Sequence, residues 1–202
     1  MKKEFSFYEF VGILVPSVTL LFFTNTILQF ALRIPLFDFG KLGDSAIFIV
    51  IAYGLGHILH SLGNLFETIL WKLFNGIPTH WLTKKPRFAQ TLFDEHETDK
   101  VKSKVFVKFG EVKEKDYGRL VYSWLFNKNL TARIDIFNGN YSLFRGLTIC
   151  FLILTVLTAL FISWQIAVIP VSLAILSLFR MIRFAKYYAR EVYRVFLTHE
   201  DP

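Results

Sequence analysis

The stretch SAIFIVIAYGLGHILHSL, residues 45–62, decides how this chain is read. It contains no Lys, Arg, Asp or Glu, and as a helix it nearly matches a hydrocarbon core about 30 Å thick. Working outward, three more apolar runs appear: Phe10 to Leu32, Leu143 to Ile162, and Ile166 to about Phe179. Hydrophobic residues make up 53% of the 202, with 23 Phe, more apolar surface than a soluble domain of this size needs. Backbone polar groups in lipid must be satisfied within the segment, so the runs are expected to be helices. The expected fold class is an all-α integral membrane protein with four transmembrane helices. Helices 2 and 4 extend into the cytosol, and a small basic cytosolic domain lies between helices 2 and 3. The segments are 1–74, an N-terminal transmembrane hairpin; 75–142, the basic domain; and 143–202, a C-terminal hairpin with a basic amphipathic tail. The middle segment is near the lower size limit for an independent core, so it is expected to fold with the helix ends or with neighbouring subunits.

Charge sets the expected topology. Lys2 and Lys3 precede the first run, the long connection Asn75 to Ser142 holds twelve Lys/Arg against eight Asp/Glu, and Arg180, Arg183, Lys186, Arg190 and Arg194 follow the fourth run. The connections Arg33–Asp44 and Ser163–Gln165 carry little or no net charge. Both termini and the long connection therefore belong on the cytoplasmic side. The first run imitates a signal peptide, but it is too long and Phe-rich and lacks a small-x-small cleavage site, so a retained span is expected. The single cysteine, Cys150, lies in the third run and excludes an intrachain disulfide.

Helix boundaries follow from local signals. The second helix is expected to run on to about Phe74 and stop at Asn75-Gly76-Ile77-Pro78. Pro16 falls in the first turns of the first helix, and Pro170 about one turn into the fourth. Lys102 to Phe109 alternates enough to suggest a strand, or an exposed lead-in to a helix over about Lys115–Phe126. A further helix from about Leu130 runs into the third span, with Asn138-Gly139-Asn140 as its weak point. The fourth helix continues through Arg194 with basic residues three and four apart, a basic amphipathic helix on the inner leaflet or in the cytosol.

Chemistry concentrates in the second run. Tyr53, His57, His60, Asn64, Glu67 and Trp71 are spaced to share a stripe about 80° wide, flanked by Gly54, Gly56 and Gly63. Polar groups at membrane depth face a bundle interior or a wet cavity. The stripe fits interhelical hydrogen bonding, the lining of a pore or gate, or a metal site from His57, His60 and Glu67. The metal reading is incomplete without ligands from another chain, and no metal or other cofactor is expected. Asn25 and Gln29, one turn apart near the outer end of the first helix, suit helix packing or an outer pore mouth. The middle block carries Lys84, Lys85, Arg87, Lys100, Lys102, Lys104 and Lys108 among Trp81, Phe88, Phe106, Phe109, Tyr117 and Tyr122. Such interleaving suits a single-stranded oligonucleotide or other anionic nucleotide, or anionic lipid beside the membrane. Arg194 to His199 matches the Arg-x4-His pattern of HEPN ribonucleases, with Val195 where that family usually has a polar residue. Walker, dinucleotide, HExxH, nucleophile-elbow and paired-cysteine zinc motifs are absent from the sequence, so catalysis is not expected.

The Tyr53-Gly54-Leu55-Gly56-His57 segment with Asn64 and Glu67 resembles the Y-x-x-G-H segment of a group of small bacterial membrane proteins. Tyr141-Ser142-Leu143-Phe144-Arg145-Gly146 and the run Arg183 to Leu197 are similar to the same group. Some of these proteins are pore-forming effectors of anti-phage operons. In the Hailong type, a nucleotidyltransferase makes a short DNA polymer that controls a membrane channel. The resemblance implies a multi-pass protein of the bacterial inner membrane that assembles as a homotetramer or other homo-oligomer. It also implies a pore gated by an oligonucleotide or cyclic nucleotide, opening of which depolarises the cell. Within that reading His57, His60, Asn64, Glu67, Asn25 and Gln29 serve the pore, and the seven basic residues from Lys84 to Lys108 bind the ligand. A non-conducting scaffold that recruits a cytosolic partner, and a membrane-tethered HEPN-like ribonuclease, are the rival readings.

Overall fold

The computed structural model describes residues 10–87 and 91–199. Among them there is no strand, and six α-helices follow in order: α1 (Val15–Leu32), α2 (Leu42–Leu73), α3 (Glu95–Phe109), α4 (Tyr117–Asn127), α5 (Ala132–Phe161) and α6 (Val168–Thr198). A single π-helical turn, Phe10–Leu14, leads into α1. Short 3-10 turns at Pro78–Leu82 and Glu114–Asp116 precede α3 and α4. The helices containing the four apolar runs are long and apolar enough to cross a bilayer. Lys2, Lys3 and Phe88 lie outside the described residues.

The chain forms two compact units, Met1–Leu65 with Gly139–Ile182, and Phe66–Asn138 with Arg183–Pro202. The middle segment shares its unit with the last turns of α2, the start of α5 and the end of α6, as expected of a segment near the lower size limit for a core of its own.

In the first unit, α1 and α2 close around Leu21, Phe48 and Ala52, with Leu14, Val18, Phe37 and Leu55 against them. Phe48 meets Phe37 and Phe39 edge-on, with ring centroids 5.4 and 5.1 Å apart. Two glycines permit close helix approach. A Cβ on Gly56 would lie 2.7 Å from the Ile13 carbonyl oxygen, and one on Gly146 would lie 2.6 Å from Pro16 Cγ. Polar side chains on these helices bond back to their own backbone. Ser17 Oγ donates to the Ile13 and Leu14 carbonyls at 3.1 and 2.9 Å, and Thr148 and Thr155 donate one turn back at 2.7 Å each. Pro16 falls in the first turn of α1, directly after the π-helical turn Phe10–Leu14. Pro170 falls in the first turn of α6 rather than one turn in, since that helix begins at Val168, so its missing N–H has no helical partner to lose.

In the second unit, α2 stops where Asn75 and Gly76 turn left-handed, with φ of 67° and 118°. The Gly76 N–H then returns to the Trp71 carbonyl at 2.8 Å. The alternating segment expected as a strand or exposed lead-in is helix α3. Asp94 caps it by accepting from the Glu97 N–H at 2.7 Å, Val101 and Val105 are buried one turn apart, and Gly110 ends it at φ 72°. Helix α4 starts at Tyr117 rather than Lys115, and α5 passes without a break through Asn138-Gly139-Asn140. Trp81, Leu92, Val121, Leu125, Ile134, Val192, Tyr193 and Phe196 complete the core. Tyr122 is held by Asp135 Oδ1 at 2.8 Å, and burial followed by this carboxylate raises the phenol above its usual range.

Gly146→Val tests the close approach in the first unit. The added atoms must displace Pro16, so the variant is expected to lose about 1–3 kcal/mol in reversible SDS unfolding, with Ala159→Val on the same helix, at an exposed position, near neutral.

Candidate functional site

Helix α2 has three faces. Ala52, Gly56, Leu59 and Gly63 are buried and form the face turned to the rest of the first unit. Ile47, Ile51, Ile58, Leu62 and Leu65 are exposed and apolar, as lipid contact requires. The polar stripe runs between these two faces.

Its members divide accordingly. His60, on the inner edge, is half-buried, and Arg145 Nη2 of α5 lies 3.1 Å from both of its ring nitrogens. Arg145 is 6% exposed, its guanidinium lies 5.5 Å from the Tyr141 ring centre, and its stem covers Gly63. A cation this deeply buried persists only when held by such partners. Tyr53, His57, Ser61 and Asn64 form the outer edge and are all exposed on the protomer. The Tyr53 and His57 rings touch edge-on at 4.8 Å, and Ser61 Oγ donates to the His57 carbonyl at 3.0 Å. A Cβ placed on Gly54 would meet nothing within 4 Å, so this edge is smooth as well as polar. Further along α2, Glu67 is half-buried and accepts from Trp71 Nε1 at 3.2 Å. Among the described residues, no group of three His, Cys, Asp or Glu is placed to hold a metal ion.

Asn25 and Gln29 line one cavity of about 510 Å3 but differ in burial. Asn25 is buried, and its Oδ1 accepts from the backbone N–H groups of Leu36 and Phe37 at 2.6 and 3.0 Å. It thereby fixes the loop that follows the left-handed turn at Arg33. Gln29 is exposed, and Pro35, Phe39, Lys41 and Asp44 join the two residues around that cavity.

The basic residues of the second unit also divide. Lys104 Nζ donates to the backbone carbonyls of Leu197, at 3.1 Å, and His199, and lies 5.3 Å from the Phe196 ring centre. It closes the C-terminus of α6, where the helix dipole favours a cation. Lys108 lies over Trp124 at 5.1 Å, and Lys102 pairs with Glu114 at 3.7 Å. Lys84, Lys85, Arg87 and Lys100 are exposed. Lys84 lines an open groove of about 490 Å3 with Glu67, Trp71, Lys72, Asn75 and His80. The Arg-x4-His pair ends differently: Arg194 is exposed, while the His199 ring packs against Trp124 at 5.5 Å.

Arg145 is the residue that reading the stripe from α2 alone misses. Its one signal in the sequence is an arginine beside Gly146 at the head of an apolar run. No protein-family model, curated protein or solved structure matches this chain.

The two histidines are expected to respond differently to substitution. His60→Ala removes a partner of a buried guanidinium and should cost about 2 kcal/mol, a fall in Tm of about 4–8 °C in detergent. His57→Ala should leave Tm within about 2 °C, because a surface change away from the core is worth at most about 0.5 kcal/mol.

Proposed function

We propose that this chain is one subunit of a homo-oligomeric membrane pore. In it the outer edge of the α2 stripe, His57 with Ser61 and Asn64, meets the same edge of other copies around an aqueous axis. One observation carries the reading: these side chains are exposed on the protomer at the middle of a helix long and apolar enough to span a bilayer. Hydrocarbon disfavours imidazole and carboxamide groups, and a ring of copies around water removes that cost. Four helices enclose no wide aqueous path by themselves, so the axis lies between subunits, in a tetramer or another closed ring. His60 serves this lining indirectly, through Arg145.

The excess of Lys and Arg favours a bacterial inner-membrane protein with both termini and the basic unit in the cytoplasm. The resemblance to Hailong-type effectors supplies the gating reading. An anionic nucleotide or oligonucleotide, made by a partner nucleotidyltransferase, binds the exposed cations Lys84, Lys85, Arg87 and Lys100 and biases open against closed. Depolarisation of the infected cell is the outcome. A ligand gates only by binding the two states unequally. Lys104 contributes through the fold, since its ammonium closes α6.

Ion flux from proteoliposomes tests the pore. The double variant His57→Leu, Asn64→Leu is expected to change flux at least tenfold while keeping its oligomer size. Flux identical to wild type removes α2 from the path, and an oligomer that never conducts favours the scaffold reading.

Binding of a short single-stranded DNA tests the ligand surface. Lys84→Glu with Lys100→Glu should weaken it and lower the slope of log K against log salt by about 0.7 for each phosphate no longer neutralised. Affinity unaffected by either salt or charge reversal would exclude this surface.

A further inference from the structure

Arg183, Lys186 and Arg190 recur on one face of α6, three and four residues apart, and with Tyr187 they line a cavity of about 200 Å3. None of the four lining side chains is acidic. The adjacent carboxylate, Glu191, is buried and paired with Arg133 at 3.2 Å. The cations are held in place by neutral partners. Arg183 Nε donates to Tyr187 Oη at 2.6 Å, and its guanidinium lies 5.4 Å from that ring. Arg190 donates twice to the Leu92 carbonyl, at 3.0 and 2.8 Å, and lies 5.9 Å from the Phe93 ring. Both guanidinium groups keep donors beyond these bonds, and the half-buried Lys186 lies between them.

Three cations gathered without a carboxylate repel one another, and orienting them before any ligand arrives lowers the cost of binding one. We propose that this cradle binds a phosphate group, with the two arginines gripping its oxygens and Lys186 supplying the central charge. Two sources present that chemistry. Along α6, Arg183 lies about 6 Å beyond Phe179, where the apolar run ends, a distance that matches the headgroup layer and suits an anionic phospholipid. A soluble nucleotide presents the same group from the aqueous side. The proposal stands on α6 and Leu92 alone and does not need α2 to conduct.

The test uses the full chain. Native mass spectrometry from nanodiscs of phosphatidylcholine containing phosphatidylglycerol reads lipid retention, and calorimetric titration with inorganic pyrophosphate reads the soluble source. Lys186→Glu is expected to reduce retention of phosphatidylglycerol or affinity for pyrophosphate at least tenfold, and whichever probe responds identifies the source. Arg183→Gln should reduce the same signal several-fold, which covers the case where charge reversal disturbs folding. Lys113→Glu, an equal charge change at an exposed position, should leave it within twofold. The proposal is overturned if wild type binds neither probe, if Lys186→Glu and Arg183→Gln both bind within twofold of wild type, or if Lys113→Glu weakens binding as much as Lys186→Glu.

Discussion

A polar side chain within the hydrocarbon layer has no bulk water to bond with, and the first unit is arranged around that fact. Several of its polar groups are bonded within or between helices, while the buried Ser142 Oγ has no hydrogen-bond partner among the described residues. The Ser17, Thr148 and Thr155 hydroxyls bond back into their own helices, the Asn25 carboxamide takes the chain turning at Leu36 and Phe37, and Arg145 is placed between His60 and Tyr141. The glycines at 56 and 146 bring the helix backbones near enough for this packing. Tyr53, His57, Ser61 and Asn64 differ in burial: all four are exposed on the protomer, although Ser61 Oγ donates to the His57 carbonyl. The proposed pore places this exposed edge against further copies and water, an environment in which polar groups are favoured over hydrocarbon.

The second unit is governed by the same rule applied to charge. It is rich in lysine and arginine, yet several of its cations serve the fold. Lys104 closes α6, Arg190 anchors the segment before α3 through Leu92, and Arg133 pairs with the buried Glu191. Aromatic rings cover the remaining sides: Trp124 lies beneath Lys108 and Lys128, and Phe196 beneath Lys104. Basic composition therefore overstates the surface open to a ligand. The exposed set is smaller, and the cations of α6 join it from outside the middle segment.

Much of this architecture is legible in the residues, and the exceptions have physical causes. Runs of apolar residues locate all four long helices, and Asn75-Gly76 marks the end of α2, because length and left-handed turns depend on local sequence. Helix α3 is disguised in the sequence: Val105, Val107 and Phe109 mimic the period of a strand. The Asp94-x-x-Glu97 cap and Gly110 stop are the stronger signals. On α2, periodicity identifies the polar stripe but not its division into a half-buried inner edge and an exposed outer one. That division depends on where Arg145 falls, 85 residues away. Asn25 as a loop anchor and Lys104 as a helix cap arise from tertiary contacts with no local signature.

The most direct test is water access along α2 in the membrane. Single cysteines are introduced at residues 57, 61 and 64 and at the lipid-facing 58, 62 and 65, in a Cys150→Ala background, and each is exposed to a membrane-impermeant thiol reagent in intact proteoliposomes. Reaction at 57, 61 and 64 with protection at 58, 62 and 65 is the result the account predicts. Protection at all six positions would mean that the polar edge is sealed in dry contact, and the aqueous axis with it would be contradicted.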